Sequence, residues 1–124
     1  MDNNNITLSV VMPAYNEEQH IIDNLLETSR ILSRFLHRYE IIAVNDGSKD
    51  STGKLIAEAA EMDSHIVDTG YDVNQGKGHA ITTGIAKASG KYIAFLDSDL
   101  ELSPSLLKPF MKQMMDTGSD IVIG

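Results

Sequence analysis

The chain has 124 residues, the length of one domain, with 42% hydrophobic and 23% charged residues and a formal net charge of −8. That balance supports a packed core and excludes a disordered chain, and the acidic surplus disfavours nonspecific binding to nucleic acid or to an anionic membrane surface. With no cysteine, disulfides, thiolate zinc sites and cysteine nucleophiles are excluded.

The start, Met1-Asp2-Asn3-Asn4-Asn5, is polar and acidic, unlike the positive n-region and apolar stretch of a signal peptide. No apolar run approaches the ~20 residues of a membrane span. The expected location is cytoplasmic, including a peripheral position at the cytoplasmic face of a membrane. Ile6 to Met12 is rich in β-formers and is predicted to be a strand stopped by Pro13. A helix is expected from Asn16, with Asn16 as cap and Gln19 in the capping-box position, to about Arg38. Ile21, Ile22, Leu25, Leu26, Leu32, Phe35 and Leu36 would form its packed stripe.

Glu40 to Asn45 reads as a buried strand, followed by the polar turn Asp46-Gly47-Ser48 and a helix from about Ser51 to Met62. A short strand near Ile66 to Thr69 leads to the glycine-rich loop Asn74-Gln75-Gly76-Lys77-Gly78 and a helix from about His79 to Ser89, stopped by Gly90. Tyr92 to Leu96 is the next strand. Ser103-Pro104 caps a helix carrying Leu106, Leu107, Phe110, Met111, Met114 and Met115, and Asp120 to Ile123 closes the sequence as a strand. Strands alternating with helices predict an α/β three-layer sandwich, a mostly parallel sheet covered on both faces, built as one domain over residues 1–124.

Parallel strands put their C-terminal loops on one rim, where open α/β sheets bind ligands. Asp97 and Asp99 stand there, one residue apart, and repel each other unless a cation lies beside them; Mg²⁺ or Mn²⁺ suits such oxygen donors. Glu101 could share that metal. Taken alone, such a pair is more often just a solvated acidic turn. Asp46, on the same rim, could accept from a ribose hydroxyl or a base N–H, or serve an Asx-type turn. Tyr15 could pack against a base and Glu17 bind its polar edge, or they could be a packing residue and a first-turn acid. Lys77, in its glycine-rich loop near a helix start, suits a phosphate, or is an ordinary lysine of a flexible surface loop; His79 could touch a diphosphate, though a lone histidine is more often structural. The loop matches neither GxxxxGK[ST] nor GxGxxG.

Together, Val10-Val11-Met12-Pro13-Ala14-Tyr15-Asn16-Glu17, Val44-Asn45-Asp46-Gly47-Ser48 with Asp50-Ser51-Thr52, Asn74-Gln75-Gly76-Lys77-Gly78 and Leu96-Asp97-Ser98-Asp99 resemble family 2 glycosyltransferases, in particular the group of dolichyl-phosphate mannosyltransferases and polyprenyl-phosphate glucosyltransferases. The resemblance runs from about Ile6 to Gly124. It implies a Rossmann-like GT-A fold that binds a nucleoside-diphosphate sugar, GDP- or UDP-linked, through Mg²⁺ or Mn²⁺. By that resemblance Pro13, Ala14, Tyr15 and Glu17 line the nucleotide pocket, with Val44 and Asp46 at the base and ribose. Asp97 and Ser98 lie beside the ribose and diphosphate, Lys77 neutralises the diphosphate, and Asp97, Asp99 and Glu101 hold the metal. The implied acceptor is a polyprenyl (dolichyl) phosphate.

Relatives continue for roughly another hundred residues, a domain-scale length, which carry the acceptor site and, for hydroxyl acceptors, the catalytic base. The chain is therefore expected to be the donor-binding half, with no catalytic base of its own. A non-catalytic donor-binding module is the alternative, as is a homo-oligomer formed through an open sheet edge. A sugar-nucleotide pyrophosphorylase is disfavoured, because Pro13-Ala14-Tyr15-Asn16-Glu17 replaces the arginine-bearing glycine-rich loop after the first strand.

Overall fold

The computed structural model describes residues 6–99, 103–109, 112 and 121–123. Its elements are β1 (Leu8–Ala14), α1 (Ile21–Leu32), β2 (Tyr39–Asp46), α2 (Thr52–Met62), β3 (Ile66–Tyr71), α3 (Lys77–Lys87), β4 (Tyr92–Phe95), a 3₁₀ turn (Pro104–Leu106) and β5 (Ile121–Ile123). The strands form one five-stranded sheet in the order β3-β2-β1-β4-β5. Every pair is parallel, with Val10 opposite Ile41 and Ala94, and Ile42 opposite Val67.

Alternation along the strands divides the core. Leu8, Val10, Met12, Ile41 and Ala43 pack with Ile21, Leu25 and Leu32 of α1 and Ile56 and Ala59 of α2. Val11, Ile42 and Val44 point the other way and meet Ala80 of α3. A strand buried on both faces has no polar side to show, which is why β1 and β2 are continuous apolar runs. The α3 layer lies close because Gly84 faces the sheet: a Cβ there would overlap the Val11 side chain and stand 3.2 Å from Val44 Cγ2.

The chain moves outward from β1 to β2 to β3 and then returns across both to β4 on the far side of β1. Right-handed crossovers therefore put α1 and α2 on one face and α3 on the other. The reversal makes the C-terminal ends of β1 and β4 the switch point of the sheet, where consecutive loops diverge and leave a crevice.

Several boundaries differ from the sequence expectation. Pro13 lies inside β1, opposite Val44. The carbonyls of Thr7 and Val11 accept from the N–H of Tyr92 in β4 and of Leu96 just after it, so by alternation the Pro13 nitrogen faces the same side, past the last β1–β4 pair at Val11 and Phe95. A residue without an N–H costs nothing where the neighbouring strand has already departed.

Asn16 does not cap α1. It sits at φ 53°, its Oδ1 accepts from the Lys49 N–H (2.9 Å), and α1 starts at Ile21, four residues after Glu17, the expected first helical residue. α1 also stops at Leu32, short of Arg38, and residues 33–36 continue as turns bonded to the Ser29, Ile31 and Leu32 carbonyls. α3 begins at Lys77 and ends at Lys87, so Gly90 is not its stop. Gly90 instead passes against Ser9, where a Cβ would come within 2.6 Å of the Ser9 nitrogen. Ser103 caps the 3₁₀ turn as expected, accepting from the Ser105 N–H at 3.2 Å. The expected core residues Phe110, Met111, Met114 and Met115, and Gly124, lie outside the described residues.

Candidate functional site

The crevice at the switch point is a cleft of about 260 Å³ lined by Pro13, Ala14, Tyr15, Glu17, Asp46, Lys77, Asp97, Ser98 and Asp99. Three loops, after β1, β2 and β4, and the first turn of α3 converge there. Val44 is not among the lining residues: it is fully buried in the sheet and packs with Val11, Ile42 and Ala80. Glu101 lies outside the described residues. His79 stands edge-on to the Tyr71 ring (5.1 Å between centroids) and does not line the cleft.

The wall after β1 is held by the loop after β2. The Glu17 N–H donates to Thr52 Oγ1 (2.8 Å), the Asn16 N–H to Ser48 Oγ (3.0 Å) and the Glu18 N–H to Asp50 Oδ2 (3.3 Å). Thr52 in turn donates from its hydroxyl (2.5 Å) and its N–H (2.9 Å) to Asp50 Oδ1. Partial desolvation opposes the Asp50 charge, yet the donors from Thr52 and Glu18 outweigh it and hold the carboxyl below its ordinary pKa. This lacing presents Tyr15, 41% exposed, at the mouth of the cleft.

The acidic wall follows β4. Ser98 is 4% exposed, and its carbonyl accepts from Asn24 Nδ2 of α1 at 2.8 Å. That bond anchors the centre of the turn and leaves Asp97 and Asp99 on either side of it at the cleft. Across the opening, Lys77 Nζ lies 2.5 Å from Asp97 Oδ1, with both side chains substantially exposed. Solvent screening makes the contribution of this pair to stability small; its importance is that a cation and a carboxylate pair face one another over the same space.

Asp46 forms the floor, 4% exposed. Its Oδ1 accepts from the Tyr71 hydroxyl (2.6 Å) and the Gln75 N–H (2.8 Å), and its Oδ2 from Asn74 Nδ2 (2.9 Å) and the Gly76 N–H (3.2 Å). Burial first, and then the neighbouring carboxylate, raise the pKa of Tyr71 and keep it a donor. Asn24, Thr52 and Tyr71 did not figure among the expected site residues. Asn24 had a signal, since it occupies an i+3 position on the apolar stripe that begins at Ile21. Thr52 and Tyr71 act through partners 35 and 25 residues away, which no local pattern marks.

Among the described residues no group of three or more His, Cys, Asp or Glu side chains could hold a metal ion. Two carboxylates at a cleft still suit Mg²⁺ or Mn²⁺, which take one or two protein carboxylates and complete their shell with water and phosphate oxygens. The donor set is oxygen only, as those hard cations require. No helix among the described residues is long and apolar enough to cross a membrane.

The profile of the family described as glycosyl transferase family 2 matches residues 9–124. Undecaprenyl-phosphate 4-deoxy-4-formamido-L-arabinose transferase of Klebsiella pneumoniae (strain 342) is 34% identical over 116 residues, which cover 93% of this chain and 35% of that protein. The protein of the same name from Proteus mirabilis (strain HI4320) gives the same identity and coverage. The chain thus spans about a third of the length of the curated relatives it matches. Among solved structures, the mannosyltransferase PcManGT from Pyrobaculum calidifontis, in complex with GDP-Man and Mn²⁺, superposes with a TM-score of 0.67 at 23% identity, covering 78% of this chain and 28% of that one. S. aureus TarS 1-349, in complex with UDP-GlcNAc, gives 0.72 at 24% identity, covering 90% and 32%.

Proposed function

We propose that this chain, which belongs to glycosyl transferase family 2 and has the GT-A fold, holds the nucleoside diphosphate of a sugar donor in the cleft between the ends of β1 and β4. The observation that carries the proposal is the pairing of Lys77 with Asp97 across a cleft that Asp99 also lines. A diphosphate is the ligand that needs both. Its oxygens pair with the lysine directly and with the carboxylates only through a shared cation.

In this reading Pro13, Ala14, Tyr15 and Glu17 flank the nucleoside, and Ser98 and Asp97 lie along the ribose and diphosphate. Asp97 and Asp99 are the side chains that would hold Mg²⁺ or Mn²⁺. That ion would supply positive charge to the departing diphosphate. Lys77 adds its own charge to the same oxygens, and it is already in place before the diphosphate departs. A neighbour in fold has been solved with GDP-Man and Mn²⁺ and another with UDP-GlcNAc, so both bases are carried forward as candidates.

For the complete reaction we propose transfer of the sugar to a polyprenyl phosphate, supported by the names of the curated relatives. An acceptor phosphate is already ionised near neutral pH and needs no general base. Titration calorimetry with UDP and with GDP, each with and without Mn²⁺, tests the donor site. One of the two should bind at least about tenfold more tightly with the metal, and Asp99→Ala should abolish that gain. Absence of metal-dependent binding for both nucleotides would contradict the proposal.

A further inference from the structure

Asp46 lies on the floor of the cleft, yet its hydrogen bonds run to the protein. An ionised carboxylate has about four acceptor positions, and Tyr71, Gln75, Asn74 and Gly76 supply four donors to them. Asn74 Nδ2 also reaches the Asp46 carbonyl at 3.1 Å. Three of these residues belong to the single loop between β3 and α3. The next residue, Gly47, has φ 62°, and a Cβ on it would collide with the backbone of Val73 and Asn74. The loop therefore rests directly on the Asp46-Gly47 turn, gripped by side chain and backbone together. One residue beyond the last grip, at Gly76, comes Lys77, whose Nζ meets Asp97.

We propose that the Asp46-Gly47 turn is a seat for the β3–α3 loop, and that Tyr71 and Asn74 are positioning residues which, through this seat, fix Lys77 opposite Asp97 and Asp99. The proposal rests on the donor-binding reading above, in which Lys77 meets the diphosphate. It also changes the part played by Asp46. A ligand group reaches that carboxylate only by displacing one of the loop donors, so Asp46 acts on the diphosphate end of the site by way of the loop. Asn74 itself stays outside the cleft lining, so the effect of its loss on ligand is assigned to what it positions.

The test uses the 124-residue chain with UDP and GDP in the presence of Mn²⁺, and four forms: wild type, Asn74→Ala, Lys77→Ala and the double variant. Removing a hydrogen bond to a charged group should weaken nucleotide binding about tenfold in Asn74→Ala. In the Lys77→Ala background the same change should have almost no further effect, because its route to the ligand is gone. Additive losses in the two variants would overturn the positioning role. Amide hydrogen exchange in the absence of nucleotide supplies the second arm. The Gln75 and Gly76 amides should exchange slowly in wild type and at least about tenfold faster in Asn74→Ala and Tyr71→Phe. Equal exchange in all three would overturn the seat. If wild type binds neither nucleotide, the donor-binding reading falls, and the exchange result alone decides for or against the seat.

Discussion

Asn24 shows how much one side chain can hold at this site. It reaches from α1 to the Ser98 carbonyl and so ties the acidic turn to a helix that the core holds rigid. Asn24→Ala is expected to cost about 1 kcal/mol of stability and, by freeing the turn, to weaken Mn²⁺-dependent nucleotide binding severalfold; calorimetry and a urea melt on the same sample measure both. Binding unchanged within error would mean that the turn keeps its shape without this bond. Gly84 makes the opposite kind of demand. Its closeness to Val11 and Val44 leaves no room for a methyl group, so Gly84→Ala should destabilise the fold by about 1–3 kcal/mol in denaturant titration despite the better helix propensity of alanine. The sequence made the rim carboxylates legible because strand ends announce themselves as apolar runs meeting acids. It could not reveal that Asp46 spends its acceptors on residues 25 to 30 positions away, nor that Val44 faces a helix and not the cleft, since a strand buried on both sides gives no alternation to read.

Four elements also meet at the opposite end of the sheet, where Ser29 of α1, Tyr39 of β2, Asp63 after α2 and His65 before β3 share one polar cluster. The Tyr39 hydroxyl donates to the Ser29 carbonyl at 2.9 Å, the Ser29 hydroxyl donates to Asp63, and His65 Nδ1 lies 2.7 Å from the same carboxylate, with its ring stacked on Tyr39. Burial opposes ionisation of Asp63, but donors from Ser29 and His65 prevail and hold it below its ordinary value of 3.8. A carboxyl depressed in the folded state stabilises above its unfolded pKa, and that contribution is lost as pH falls through the folded value. Asp63→Asn should therefore cost about 1–3 kcal/mol at pH 7, with the difference from wild type vanishing in the acid range below pH 3.8. A difference that stays constant down that range would contradict the ionic role. From β1 to β4 the existence of each strand and helix could be read from periodicity, whereas the start of α1 could not. Asn16, Glu17 and Gln19 have the composition of a capping box, but tertiary partners in the loop at 48–52 claim the Asn16 side chain and the N–H groups of Asn16, Glu17 and Glu18.

At the scale of the whole molecule, strand order decides where chemistry can occur. Reversal of the winding between β1 and β4 opens the crevice, and the loops that border it bring the rim acids and Lys77 of α3 together. The chain carries a net charge of −8, which disfavours a nucleoside diphosphate overall; in the proposed reading Lys77, and a cation that Asp97 and Asp99 would hold, reverse the field at the cleft. Raising ionic strength should therefore weaken binding less than the local charges alone suggest, because the long-range repulsion is screened along with the local attraction. In the proposed reading, nucleotide and metal share the switch-point cleft. Paramagnetic broadening by Mn²⁺ in the amide spectrum, recorded with UDP or GDP present, tests it most directly. Broadening centred on residues 97–99 and extending to Tyr15 and Lys77, and absent from the Ser29–Tyr39–Asp63–His65 cluster, is the predicted result; broadening centred elsewhere, or none with either nucleotide, would contradict it.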